Sequence, residues 1–124
     1  MTEFEKLVQQ LDSTGDAIHA ALCFTICALR KREIDDDVAR QIMKTSCAVS
    51  NLWDEVRQDE EFKTLDDAAS KYLWKIATDA EHLSNFYALH FIGYPVFQNF
   101  ELIDSQTKWF RLCRDGYLNM TATN

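Results

Sequence analysis

The chain has 124 residues, 47% of them hydrophobic and 12% aromatic, with three glycines and one proline. That composition excludes an intrinsically disordered chain, leaves little material for linkers, and argues against a small all-β fold, which needs a turn every few residues. Twenty acids against 13 Lys plus Arg give a net charge of −7, which argues against broad binding to nucleic-acid phosphates.

The start, Met1-Thr2-Glu3-Phe4-Glu5-Lys6, is mixed in charge and leads into no long apolar run, unlike a secretory signal. The first periodic segment places Phe4, Val8, Leu11, Gly15, Ile18, Leu22, Thr25 and Leu29 at alternating spacings of four and three. This is the stripe of a helix packed side by side with others. Ser13-Thr14-Gly15-Asp16 is a point where that helix can kink or split, although the stripe passes through Gly15 in phase. Arg30-Lys31-Arg32 suits its C-terminus, and Asp35-Asp36-Asp37 suits the start of the next helix, each matching the macrodipole.

The second stripe is Val38, Ile42, Thr45, Val49, Leu52, Val56. The third is Leu65, Ala69, Tyr72, Ile76, Asp79, Leu83, Phe86, His90, opened by a Thr64/Asp67 capping pair and closed at Gly93-Tyr94-Pro95. An irregular aromatic stretch follows. Asp104 is then expected to cap a shorter fourth helix through Trp109, Phe110, Cys113 and Tyr117, ending near Asp115-Gly116. The expected fold is all-α: one domain spanning 1–124, a compact antiparallel bundle of three long helices plus a short C-terminal one.

Besides His90 at the end of the third stripe, three interior stripe positions are polar: Thr25, Thr45 and Asp79. At 1.5 Å of rise per residue their heights in the bundle coincide. The expectation is a buried layer in which the two hydroxyls satisfy the carboxylate, because a bare buried charge is costly.

Two Asp-x-x-His spacings, Asp16/His19 and Asp79/His82, each set both side chains on one helical face. Their histidines come out roughly 13 Å apart along the bundle, too far for one metal centre. His19, Cys23 and Cys27 also share a face, but a structural zinc needs four converging ligands and no fourth is marked. The four cysteines (Cys23, Cys27, Cys47, Cys113) show no secreted-scaffold pattern, so free thiols in a cytoplasmic protein are expected. No phosphate loop, nucleophile elbow or His-Glu-x-x-His motif is present. The chain therefore reads as a non-enzyme with no cofactor. The alternative is a metal-binding or thiol-based protein using His19 with Cys23 and Cys27, or Asp79 with His82.

Two surfaces are candidates for a partner. Ala20, Cys23, Phe24 and Cys27 form a second apolar face on the first helix, to be covered by the aromatic segment after residue 90 or by another chain, including a second copy in a homodimer. The whole net charge lies between residues 33 and 81, densest at Asp54, Glu55, Asp59, Glu60, Glu61, Asp66 and Asp67. Trp74 projects away from its stripe near this run. An acidic surface with a tryptophan anchor points to a protein partner with a basic surface. Neither a membrane nor a nucleic-acid backbone is an expected partner.

Overall fold

A computed structural model of the chain describes residues 1–122. It is an all-α helical bundle, with no strand among the described residues. The helices are α1 (Glu3–Ser13), α2 (Gly15–Lys31), α3 (Asp36–Gln58), α4 (Asp67–Phe91) and α5 (Phe100–Ala122). Short 3-10 turns, Glu60–Thr64 and Phe97–Asn99, precede α4 and α5. α3 packs on α4, α4 on α5, α5 on α2, and α1 on α3.

The start signals are local. Asp35 Oδ1 accepts from the amides of Asp37 (3.0 Å) and Val38 (3.2 Å), so two orphan donors of α3 are satisfied by one carboxylate. Asp66, not Thr64, caps α4 by accepting from Ala68 N at 3.0 Å. Thr64 instead donates back to Glu61 O and closes the 3-10 turn. The expected first helix is two helices. Ser13 and Thr14 each donate a hydroxyl hydrogen bond of 2.6 Å to the carbonyl three residues earlier, which competes with the helical ladder and breaks it at Thr14.

The apolar stripes are the core. Leu11, Ile18, Leu22, Val49, Val56, Ile76 and Leu83 are fully buried. Gly15 belongs to this stripe because α2 and α4 touch there. A Cβ on it would lie 2.1 Å from the Tyr72 hydroxyl oxygen. Gly15→Ala is expected to cost about 1–3 kcal/mol through overpacking. Urea melts of Gly15→Ala with and without Tyr72→Phe check this: removing the hydroxyl should restore much of the loss, and an unchanged double variant would place the strain elsewhere.

The C-terminal helix is the main correction. It is not short: it begins at Phe100 rather than after an Asp104 cap, and it runs through Asp115 and Gly116 for 23 residues. A glycine inside an exposed helical turn costs only about 1 kcal/mol relative to alanine, and nothing lies within 4 Å of where a Gly116 Cβ would be. Packing of the turns on either side overrides that cost. Phe110 is fully buried, and the Tyr117 ring stacks on Tyr72 at 5.1 Å.

Gly93 closes α4 at φ +89°, with Tyr94 N returning to Leu89 O at 3.0 Å. The connection to α5 is held by cations over aromatic rings: Arg32 over Phe97 (5.2 Å) and Arg30 over Phe100 (5.4 Å). His90, at the end of its stripe, ties α4 to the start of α3 through Asp36 at 2.9 Å.

Candidate protein-interaction site

α4 and α5 lie side by side and leave a groove on their outer surface. Trp74 on α4 and Trp109 on α5 meet across it, ring centroids 5.6 Å apart, and remain 40% and 47% exposed. Trp109 and the exposed Leu112 also line a cleft of about 460 Å³, closed by Asp66, Asp67, Ala68 and Lys71 at the start of α4 and by Cys113 and Gly116 on α5. Further along the same pair of helices, Leu89 and Leu102, both exposed, border a smaller cleft of about 140 Å³ with His82 and Gln106. Large exposed apolar side chains thus recur along one groove with two carboxylates at one end.

Beneath the tryptophans lies a buried charge pair. Lys75 and Asp79 side chains are fully buried and paired at 2.9 Å. Lys75 also donates to Gln106 Oε1, and its ammonium lies 4.3 Å from the centre of the Trp109 ring. His82 Nδ1 stands 3.5 Å from Asp79 Oδ1. Burial pushes the Asp79 carboxyl above its usual range, while the Lys75 hydrogen bond and charge and the nearby His82 pull it back. The ammonium of α4 is therefore satisfied largely by groups on α4 and α5, and it fixes how the two helices are rotated.

The expected threonine layer does not hold Asp79. Thr25 is buried but donates to Ala21 O (2.7 Å) and shares a 2.6 Å hydrogen bond with the Tyr87 hydroxyl. Thr45 is half-buried, and its neighbour Ser46 points inward instead. Matching heights said nothing about direction around each helix. Lys75, one turn before Asp79, reaches it first.

The acidic residues divide. Asp66 and Asp67 line the cleft that Trp109 shares, and Trp74 lies against Trp109. Asp54, paired with Arg57 at 2.9 Å, Glu55, Asp59, Glu60 and Glu61 belong to the end of α3 and the following 3-10 turn, and none lines that cleft. Asp59 is half-buried and caps the turn through Glu61 N.

On the other side of the bundle, Ala20 and Cys27 are exposed while Cys23 and Phe24 are half-buried. The aromatic connection does not lie over them as a lid. It engages Arg30 and Arg32, and α5 flanks the face by sending Arg111 to His19 and Cys23. All four cysteines are free.

Lys75, Gln106 and Leu112 were not singled out from the sequence, and Trp109 was read only as part of the fourth helix. Lys75, Asp79 and His82 stand at i, i+4 and i+7, one helical face, and that spacing was the available signal. Trp109 stands one residue off the inward stripe through Ile103, Phe110 and Tyr117, and that offset was its signal.

Among the described residues, no group of three or more His, Cys, Asp and Glu is arranged to hold a metal ion, and no helix is long and apolar enough to cross a membrane. Comparison with protein families, with curated proteins and with solved structures finds no match.

Proposed function

We propose that this chain is a non-enzymatic protein–protein interaction module, of the inhibitor, immunity-type, adaptor or regulatory-subunit kind, that seats a basic amphipathic helix of its partner in the α4–α5 groove. The observation that carries the reading is the exposed Trp74–Trp109 pair beside a cleft edged by Asp66 and Asp67. Exposed tryptophans in a walled recess are the usual anchors of binding energy. Successive apolar side chains along a two-helix groove match the i, i+3, i+4, i+7 face of an incoming helix.

Charge supports a basic occupant. The carboxylates of Asp54, Glu55, Asp59, Glu60 and Glu61 add a field that steers a cation toward this end, acting over about 8 Å at physiological salt. Two copies of this chain, each at −7, repel one another, which favours a different molecule over self-pairing. We take α4 and α5 as antiparallel neighbours. In support, contacts to α5 descend as α4 ascends: Tyr72 meets Tyr117, Trp74 meets Trp109, and Lys75 meets Gln106. Four free cysteines fit a cytoplasmic setting.

The test is a fluorescence titration with two synthetic helical peptides that share one leucine stripe, one with lysines and one with glutamates on the polar face. The lysine peptide should bind and perturb tryptophan emission, and the glutamate peptide should not. Trp109→Ala should weaken binding roughly thirtyfold, the equivalent of losing a 2 kcal/mol anchor. Asp67→Lys should slow association and flatten its salt dependence. Equal binding of both peptides, or none of either, rejects the assignment.

A further inference from the structure

On the face away from the tryptophan groove, α2 and α5 bring together a thiol, an imidazole and a guanidinium. Cys23 Sγ lies 3.8 Å from His19 Nε2, one turn earlier on α2, and 3.6 Å from Arg111 Nη2 on α5. Arg111 Nε donates to the same His19 nitrogen at 3.0 Å. The lone pair of Nε2 is therefore taken up by Arg111, and the ring proton is on Nδ1. The imidazole is stacked on Phe110 at 5.6 Å, which holds its plane in place. Burial and the positive charges of Arg114 and Arg111 keep His19 below its ordinary value, against a smaller opposing effect of Asp16, so the ring is neutral near pH 7. A neutral imidazole thus holds a cation against one sulfur.

The sulfur also borders a recess. Cys23, Ile26, Cys27, Arg30, Asp104 and Arg111 line a cleft of about 200 Å³. Its charge is the reverse of the molecule's: two guanidinium groups face one carboxylate, and Asp104 is already paired with Lys108 at 3.1 Å. In a chain of net charge −7, this is a local site for carboxylates.

We infer that Cys23 is a thiol–disulfide exchange site for small disulfides that carry carboxylates, with His19 holding Arg111 beside the thiol and Arg30 and Arg111 holding the anionic co-substrate. The thiol proton passes to solvent, and Arg111 lies beside the sulfur as negative charge develops there. The thiolate attacks one sulfur of the incoming disulfide, whose S–S bond breaks. The departing sulfur leaves as thiolate and takes a proton from solvent. The net change is one protein thiol and one disulfide becoming one mixed disulfide and one free small thiol. Cys23 is oxidised as the departing sulfur is reduced.

Accessibility and this chemistry make opposite predictions. Cys27 and Cys47 are exposed, whereas Cys23 is half-buried. A hydrogen bond to a group on which charge develops contributes on the order of tenfold. The experiment treats the full chain with glutathione disulfide at pH 7 and follows each cysteine by peptide mass spectrometry. Cys23 should be modified about tenfold faster than Cys27 or Cys47. Arg111→Met should remove most of that advantage without changing the rate at Cys47. Cystamine, a disulfide with amines in place of carboxylates, should show a clearly smaller preference for Cys23. First modification at Cys27 or Cys47 in the unaltered chain, which needs no variant to fold, overturns the proposal. An unchanged Cys23 rate in Arg111→Met removes the cation, and equal selectivity with cystamine removes the carboxylate recognition; either result refutes it.

Discussion

Lys75→Met should lower the unfolding free energy by about 3–5 kcal/mol, a large share of the 5–15 kcal/mol that holds a domain of this size. The ammonium is fully buried and bonded to Asp79 and Gln106, under the Trp109 ring. Removing it leaves the Asp79 carboxylate in an apolar interior with only a partly exposed His82 nearby. The carboxyl has one escape, which is to stay protonated, and burial already pushes it that way. The loss should therefore be larger at pH 8 than at pH 5, where a neutral acid needs no cation. Lys75→Met with Asp79→Leu replaces the pair by apolar volume and should recover most of the stability, since buried pairs gain little over a packed hydrophobe. Urea melts of the three proteins at both pH values decide it. A single variant as mild as Lys6→Met, at an exposed position, would mean that water reaches the pair.

Phe110→Ala is expected to cost about 3–5 kcal/mol, whereas Trp109→Ala should cost about 1–2 kcal/mol, chiefly by uncovering the Lys75 ammonium. The two residues are adjacent, yet Phe110 is fully buried and Trp109 is 47% exposed. Phe110 stacks on His19 of α2 and meets the edge of Tyr72 on α4, so a single ring joins three helices. Trp109 rests against Trp74 at the surface and covers the Lys75 ammonium. Thermal and urea unfolding of both variants, beside the peptide titration, separate the two roles. Phe110→Ala should unfold early. Trp109→Ala should keep its fold and lose its ligand. If Phe110→Ala proved harmless, α5 would be an appendage to the bundle rather than part of its core.

The all-α character and the core were legible in the sequence because both follow from period. Residues three and four apart share a helical face wherever the helix ends up, and the stripes Ile18–Leu22, Val49–Val56 and Ile76–Leu83 are buried accordingly. Asp35 was legible for a similar reason, since an N-cap bonds to amides two and three residues away. The break at Thr14 is equally local, but it lies in a stripe that keeps phase, so periodicity alone left it open. The length of α5 was not local. Asp115-Gly116 resembles a stop, and only contact of Phe110 and Tyr117 with α2 and α4 outweighs it.

The candidate groove was half visible. Trp74 projects away from its own stripe, and that follows from α4 alone. Its neighbour Trp109, the floor provided by Lys75 and Gln106, and the guanidinium beside Cys23 depend on how α5 is rotated against α4 and α2. The sequence by itself determined which residues share a face within one helix, because a 3.6-residue period is a property of a single chain segment. The tertiary structure alone decided which faces meet across helices, because that rotation is set by side chains packing from both sides at once.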